Sequence, residues 1–448
     1  RHPINRQTVY VRSSFLARLQ QWFSTEASGP ILMGMILLSV AHGLIPEFPR
    51  WLAGLLGWFA ALTLIHNINT VQRTQVVAML SIGTAGLVWG YFAGTGLALE
   101  SAISTNQAML AMLAAVSFLR LVTQPVTCDE ALPMGNKPLW RTLFGIHLFG
   151  SVINMSSIVI IGDRLSANRP MTPAQACVLS RGFAMAACWS PFFAAMGIAL
   201  SNAPGAQLTT LSLVGLPVAL LALLLTGWEL TRNGKAEHFH GYPMQFTALW
   251  IPGLLAALLM LTHQVWPEIP ILTLISLLAL SLTWLLLFLR HGRTGLEAYR
   301  QHIKIGLPRM SGELMLFISA GVLATGIAAA ISATDLQVEV QQFGANEASL
   351  LLLVMVVVSV LGIHPVISIA TAGGIFSPLG VDPNLLGMTF LMTWAIGIST
   401  APLSGLHLMI QGRYNIQAVT LMKLNSRFAL VMMGCGAVAM QLYEQWYL

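Results

Sequence analysis

The sequence predicts an all-α polytopic membrane protein of two inverted repeats, with about eleven transmembrane helices, two re-entrant hairpins and two broken helices. Composition is the first reason. The 448 residues are 56% hydrophobic and 8% charged, with a mean hydropathy of +0.74, whereas soluble domains carry about 25% charged residues. Long apolar windows are the second, for example 208–228 and 269–289, since a span needs roughly 17–25 such residues. The third is a repeated motif pair. Ile153-Asn154-Met155-Ser156-Ser157 precedes Cys188-Trp189-Ser190-Pro191, and Ile363-His364-Pro365-Val366-Ile367-Ser368 precedes Ser399-Thr400-Ala401-Pro402. Asn154 to Pro191 is 37 residues and His364 to Pro402 is 38, so the second unit keeps the register of the first. Broken polar backbone is tolerated at membrane depth only where protein or a cavity surrounds it.

In chain order, residues 1–29 form a cytoplasmic N-terminal segment in which 13–26 reads as a short interfacial helix. A first span, 30–46, stands outside the repeats. Repeat one, 51–228, has spans near 51–66, 75–98 and 103–123, a hairpin near 141–162, a broken helix near 175–200 and a closing span near 207–228. A polar cytoplasmic connector, 229–244, follows. Repeat two, 245–448, keeps the order: spans near 245–263, 268–290 and 311–332, a hairpin near 347–377, a broken helix near 384–411 and a closing span near 424–444. The basic stretch 290–309 reads as a cytoplasmic surface helix. Five crossings per repeat invert the second relative to the first. A re-entrant arm of about ten residues rises roughly 15 Å, half the hydrocarbon core, so both hairpin tips can meet near the midplane.

Charge supports this path. With the N-terminus in the cytoplasm, 21 of the 22 Lys and Arg residues fall on the cytoplasmic side or at that end of a helix, Arg50 being the exception. The 16 acids divide evenly. A bias confined to basic residues is what the positive-inside rule produces, so the net charge of +6 reflects topology and not a nucleic-acid partner. Hairpin one enters from the cytoplasm, flanked by Lys137, Arg141, Arg164 and Arg169. Hairpin two enters from outside, flanked by Asp335, Glu339, Glu347 and Asp382. The C-terminus is then outside, and a bacterial inner (plasma) membrane is the expected location. Cys128, Cys177, Cys188 and Cys435 show neither metal spacing nor a disulfide framework. No signal-peptide core or cleavage site precedes the first span, and without an initiator Met an upstream piece is possible.

Candidate binding residues lie at the tips and breaks. Asn154, Ser156 and Ser157 offer side-chain oxygens and an amide amid apolar neighbours, and Asn154 with Ser156 suits Na+, a hard cation that takes oxygen ligands. The half-helix N-termini attract anions. The same residues also serve as interhelical glue. Ser190 with Pro191, and Ser399, Thr400, Pro402 and Ser404, mark the two breaks, because proline removes a backbone donor and clashes with the preceding turn. His364 occupies the tip position of Asn154, followed by Pro365 and Ser368. An ionisable group there points to function, and histidine can carry a coupling proton; His407 is a second candidate for that role. His147 and His66 read as packing or helix-end residues. Arg181 can approach an anion but more readily snorkels to the interface. Glu313 reads as an acid favoured at a helix N-terminus. No carboxylate pair lies within the membrane.

These features resemble the ion transporter superfamily, which includes divalent-anion/sodium symporters and arsenite and sodium/proton antiporters. Gly312-Glu313-Leu314-Met315-Leu316-Phe317 is similar to a stretch in the second half of these families, and 397–411, with Thr400-Ala401-Pro402, to their second broken helix. In the symporters a Ser-Asn-Thr triplet at each hairpin tip helps bind sodium and substrate carboxylate. Asn154, Ser156 and Ser157 match it in part. His364-Pro365 departs from it, which puts a second sodium site and a dicarboxylate substrate in doubt. The resemblance implies a homodimer formed by scaffold helices, with hairpin domains moving as an elevator.

The expected function is secondary active transport of a small anionic solute coupled to Na+ or H+, with no other cofactor and with the lipid bilayer as surroundings. A cation/proton or oxyanion antiporter is the alternative. A membrane-embedded enzyme is more remote, because the chain has no His-Glu-x-x-His motif, no intramembrane aspartate pair and no nucleophile–base constellation. Substrate identity, stoichiometry and direction are not written in the sequence.

Overall fold

The computed structural model describes residues 27–96, 98–123, 131–234, 237–244, 250–334 and 343–447. The interfacial helix expected over 13–26, and the flanking residues Asp335 and Glu339, lie outside the described residues. Regular structure among the described residues is helical, apart from one isolated bridge between Met134 and His240.

The helices are α1 (Ser28–Leu44), α2 (Arg50–Leu64), α3 (Thr70–Phe92), α4 (Leu99–Ser104) and α5 (Gln107–Val116), followed by a 3-10 turn over Ser117–Leu121. The first hairpin is α6 (Asn136–Ile153) and α7 (Ser156–Ser166). The first broken helix is α8 (Pro173–Ala184) and α9 (Ala194–Asn202), and α10 (Leu208–Thr231) closes this half. Then come α11 (Trp250–Val265), α12 (Ile271–Gln301) and α13 (Ser311–Ser332). The second hairpin is α14 (Ala345–Val360) and α15 (Pro365–Phe376); the second broken helix is α16 (Pro383–Thr400) and α17 (Gly405–Tyr414). The long α18 (Ala418–Tyr447) follows.

Among the described residues, five helical stretches are long and apolar enough to cross a membrane: Thr70–Phe92, Leu99–Leu121, Leu208–Thr231, Ile271–Ser332 and Pro383–Tyr414. They are compatible with an integral membrane protein. Their burial differs sharply: 94% of the apolar window of Pro383–Tyr414 is buried, against 22% for Thr70–Phe92. The second broken helix is therefore core, while α3 turns Ile82, Trp89 and Phe92 outward.

Helix starts follow from their capping residues. Asn69 and Gln72 form a reciprocal capping box at α3, and Thr172 and Gln175 form another at α8, with Pro173 at the first turn. Asp382 caps α16 by accepting from the Leu385 N–H at 2.7 Å. Sequence and structure differ at 103–123, which is not one helix: the chain breaks at Thr105 and Asn106. Asn106 adopts φ 68°, and its Nδ2 donates to the Phe317 carbonyl at 2.9 Å. Asparagine tolerates the left-handed region, and this bond to α13 fixes the break.

Packing sorts the helices into two groups. In the first, α3 lies along α13, α12 along α5, and α1 against α2 and α5. In the second, α6 packs on α8, α14 on α16, and α18 on α14 and α16. The groups meet chiefly where α15 packs on α13. The α3–α13 crossing is close because it is made of glycine. A Cβ on Gly326 would lie 2.0 Å from the Gly83 carbonyl oxygen, so only a bare backbone fits there.

Candidate functional site

A cavity of about 460 Å³ lies where the hairpin bends, the ends of the breaks and the starts of α3 and α13 converge. Hairpin one supplies Asn154 and Ser156, and hairpin two supplies His364. Ala194 and Gly405 open the half-helices beyond the two breaks. Asn69, Gln72 and Gln75 come from the start of α3, Ser117 from the turn after α5, and Glu313 from the first turn of α13. Phe183, Phe193, Phe317, Trp394, Leu406 and Met409 make much of the apolar wall.

Each bend has a local cause. Asn154 ends α6 with φ 51° and ψ −140°. Its Nδ2 donates to the Phe192 carbonyl at 3.1 Å, tying the tip of hairpin one to the first break. Ser157 is turned away from the cavity: its Oγ donates to the Asn154 carbonyl at 2.7 Å, beside Phe149 and Tyr242. At hairpin two, Gly362 turns the chain with φ 103°. His364 then caps α15, its Nδ1 accepting from the Val366 N–H at 3.2 Å. A ring nitrogen that accepts a hydrogen bond leaves the proton on Nε2. The ring stands edge-on to Trp394, with centroids 5.5 Å apart. Pro365 occupies the first turn of α15 and packs toward Gly397, and Ser368 lies farther along the helix, off the cavity.

The residues expected at the breaks shape them and do not line the cavity. Ser190 Oγ donates to the Ser151 carbonyl and accepts from the Phe192 N–H, while Pro191 sits in the irregular link between α8 and α9. Ser404 Oγ donates to the Ile398 carbonyl at 2.9 Å and accepts from the His407 N–H at 3.2 Å. Ser399 and Thr400 both donate to the Ile396 carbonyl, and Pro402 lies in the turn that follows. Asn425 on α18 donates to the Ser399 carbonyl at 2.6 Å. The His407 ring is buried, with Nε2 3.2 Å from Ser180 Oγ. Carbonyls freed by the second break are thus satisfied by Ser404 within the break and by Asn425 from α18.

Arg181 does not snorkel. Its side chain is 1% exposed and donates to Glu229 (2.6 Å), Asn425 Oδ1 (2.8 Å) and the Leu424 carbonyl (2.8 Å), with the guanidinium over the Phe428 ring. Three acceptors and an aromatic face outweigh the pull of the interface. His147 is likewise a packing residue: Nδ1 donates to the Gly182 carbonyl and Nε2 accepts from the Trp189 N–H.

Of the expected binding residues, the structure brings Asn154, Ser156 and His364 together in one cavity. Sequence reasoning missed Glu313, Asn69, Gln72, Gln75 and Ser117 as lining residues. The Asn-x-x-Gln spacing at 69–72 is a legible capping signal, and Glu313 is a lone acid opening a 22-residue apolar helix. The electrostatics of the wall are simple. The starts of α7, α9, α15 and α17 all reach it, and helix N-termini carry partial positive charge. Among the described residues Glu313 is its single carboxylate, and no Lys or Arg lines it. Comparison with protein-family models finds no match to the chain, and comparison with curated proteins finds none either.

Proposed function

We propose that the chain is a secondary active transporter that moves a small anionic solute coupled to Na+ or H+, by an elevator-type movement of the hairpin group against the other group. The observation that carries this reading is the meeting of both hairpin bends and four half-helix N-termini on one cavity. Such ends bind anions without any basic side chain, and broken helices at a central cavity are the mark of transporters. Asn154 and Ser156 are the proposed ligands from hairpin one, with Na+ as one coupling ion. His364 Nε2–H is the proposed donor from hairpin two; carrying a proton on Nδ1 would require its cap on α15 to open.

The proposed topology is eleven spans in two inverted repeats, N-terminus in the cytoplasm and C-terminus outside, in a bacterial inner membrane. The ion pairs support it. Arg413 with Asp163 and Arg181 with Glu229 join residues assigned to the cytoplasmic side. Arg50, the one basic residue assigned outside, pairs with Glu100, also assigned outside. A homodimer through the first helix group accompanies an elevator. An antiporter of cations or oxyanions against protons is the second reading, favoured by the lone carboxylate of Glu313 on the wall.

A thermal-shift screen of detergent-purified protein tests the proposal. Carboxylates, sulfate and other oxyanions are added with and without Na+ at two pH values. A bound ligand raises the unfolding midpoint in proportion to the logarithm of its concentration. An anion that stabilises only with Na+ supports sodium symport. Stabilisation that follows pH without Na+, and is lost in His364→Gln, supports proton coupling. Silence toward every anion counts against the anion reading.

A further inference from the structure

We infer that Glu313 is the cavity's coupling-cation site, its carboxylate holding a proton or Na+ whenever an anion occupies the cavity. This rests on the transporter reading for its role, and on the cavity wall for its chemistry. Glu313 is accessible and lines the cavity. Among the described residues it makes no hydrogen bond or ion pair. Of the ionisable groups on elements packed against α13, Arg50 and Glu100 pair with each other. His66, Arg73, Tyr91 and Arg309 lie off the cavity wall, and only His364 shares it. No fixed positive side chain therefore offsets the carboxylate.

Solvent reaches this carboxylate and the helix ends offset only part of its charge, so a proton or a cation beside it is still favoured. The need grows when an anion enters. In a space of this volume the two negative charges sit within about 10 Å, and their repulsion lowers anion affinity on the order of 10–100-fold. Neutralising Glu313 removes that repulsion, so anion and cation bind together. Oxygens and amides for a hydrated or partly dehydrated cation are at hand in Gln72 and Gln75. The Gln72 side chain borders Gly312, the residue before Glu313.

Purified full-length protein is compared with Glu313→Gln, which keeps the shape and removes the charge. Two readouts are taken on each: the unfolding midpoint in NaCl against choline chloride, and the infrared band of a protonated carboxyl followed with pH. A Na+-specific stabilisation lost in Glu313→Gln supports a sodium site. A titrating carboxyl band lost in Glu313→Gln, without Na+ stabilisation, supports a proton site. Absence of both signals in the wild type, or their persistence in the variant, overturns the inference. If Gln at 313 prevents folding, Glu313→Asp should move the Na+ midpoint or the carboxyl titration several-fold; no movement overturns it. Currents evoked by sulfate or succinate in proteoliposomes separate the two ideas. Currents without a Glu313 signal sink this inference alone, and a Glu313 signal without currents leaves it standing while the transport reading falls.

Discussion

Asn154 Nδ2 donates to the Phe192 carbonyl across 3.1 Å, so the bend of one hairpin and the break of the helix after it are a single structural unit. The same asparagine holds a positive φ of 51°. With ψ −140° this backbone lies outside the left-handed helical well, so Asn154→Ala loses the bond and keeps the strain, whereas Asn154→Gly loses the bond and relieves the strain. Leaving the Phe192 carbonyl unpaired should cost about 1–3 kcal/mol in each. Strain should put the alanine variant about 1 kcal/mol below the glycine one. Unfolding midpoints in detergent check the order; alanine equal to or above glycine would contradict it.

Arg181 and Glu229 predict an asymmetry. Glu229→Gln leaves a buried guanidinium facing neutral acceptors, while Arg181→Met leaves a carboxylate that is 41% exposed and can be solvated. The first change should be the more damaging, near the lower end of the roughly 3–5 kcal/mol seen when a buried pair is broken. Lysine at 181 cannot reach three acceptors with a planar fork and should not restore stability. Side-by-side thermal unfolding of the three variants decides this.

Arg413 holds both oxygens of Asp163, each at 2.6 Å, and Tyr414 donates to the same carboxylate at 3.0 Å. These bonds, Arg413 first, hold the Asp163 carboxyl below the ordinary carboxylate range. A depressed folded-state value gives stability that is full above the unfolded value, about 4, and is lost as pH falls through the folded one. The pair is half exposed, so the gain is at most about 1 kcal/mol. Asp163→Asn should lower the midpoint at neutral pH and flatten the acid limb. An unchanged acid limb would refute the assignment.

At the α3–α13 crossing, Gly326 faces the Gly83 backbone. A larger residue meets main chain, which no rotamer change relieves. Gly326→Leu should separate the two helices and destabilise by about 1–3 kcal/mol or more. Gly434, whose added Cβ would meet nothing within 4 Å, is the control and should tolerate alanine. Equal effects at both positions would remove the argument for close packing.

The local signals that could be read in the sequence were those written within a few residues of one another. The Asn154 bend, the His364–Pro365 helix start and the two proline-containing breaks all rest on short-range sterics and capping, and the structure has a bend or break at each. The break at Thr105–Asn106 escaped because its cause, the Phe317 carbonyl, lies 211 residues away. Arg181 was misread for the same reason: Glu229 and Asn425 reach it only through the packing of α8, α10 and α18.

Composition, apolar windows and the paired motifs by themselves determined an all-helical, lipid-compatible chain with two hairpin-like bends and two broken helices. Burial of apolar surface and local backbone rules act along the chain, so they leave a trace in the order of residues. Only the tertiary structure decided which polar groups face the cavity. Ser157, Ser190 and Ser404 spend their hydroxyls on neighbouring carbonyls, whereas Glu313, read as a helix-start residue, opens onto the space shared by Asn154, Ser156 and His364. A hydroxyl or carboxylate has the same letter in either place, and the partner that satisfies it is chosen by which helix packs beside it.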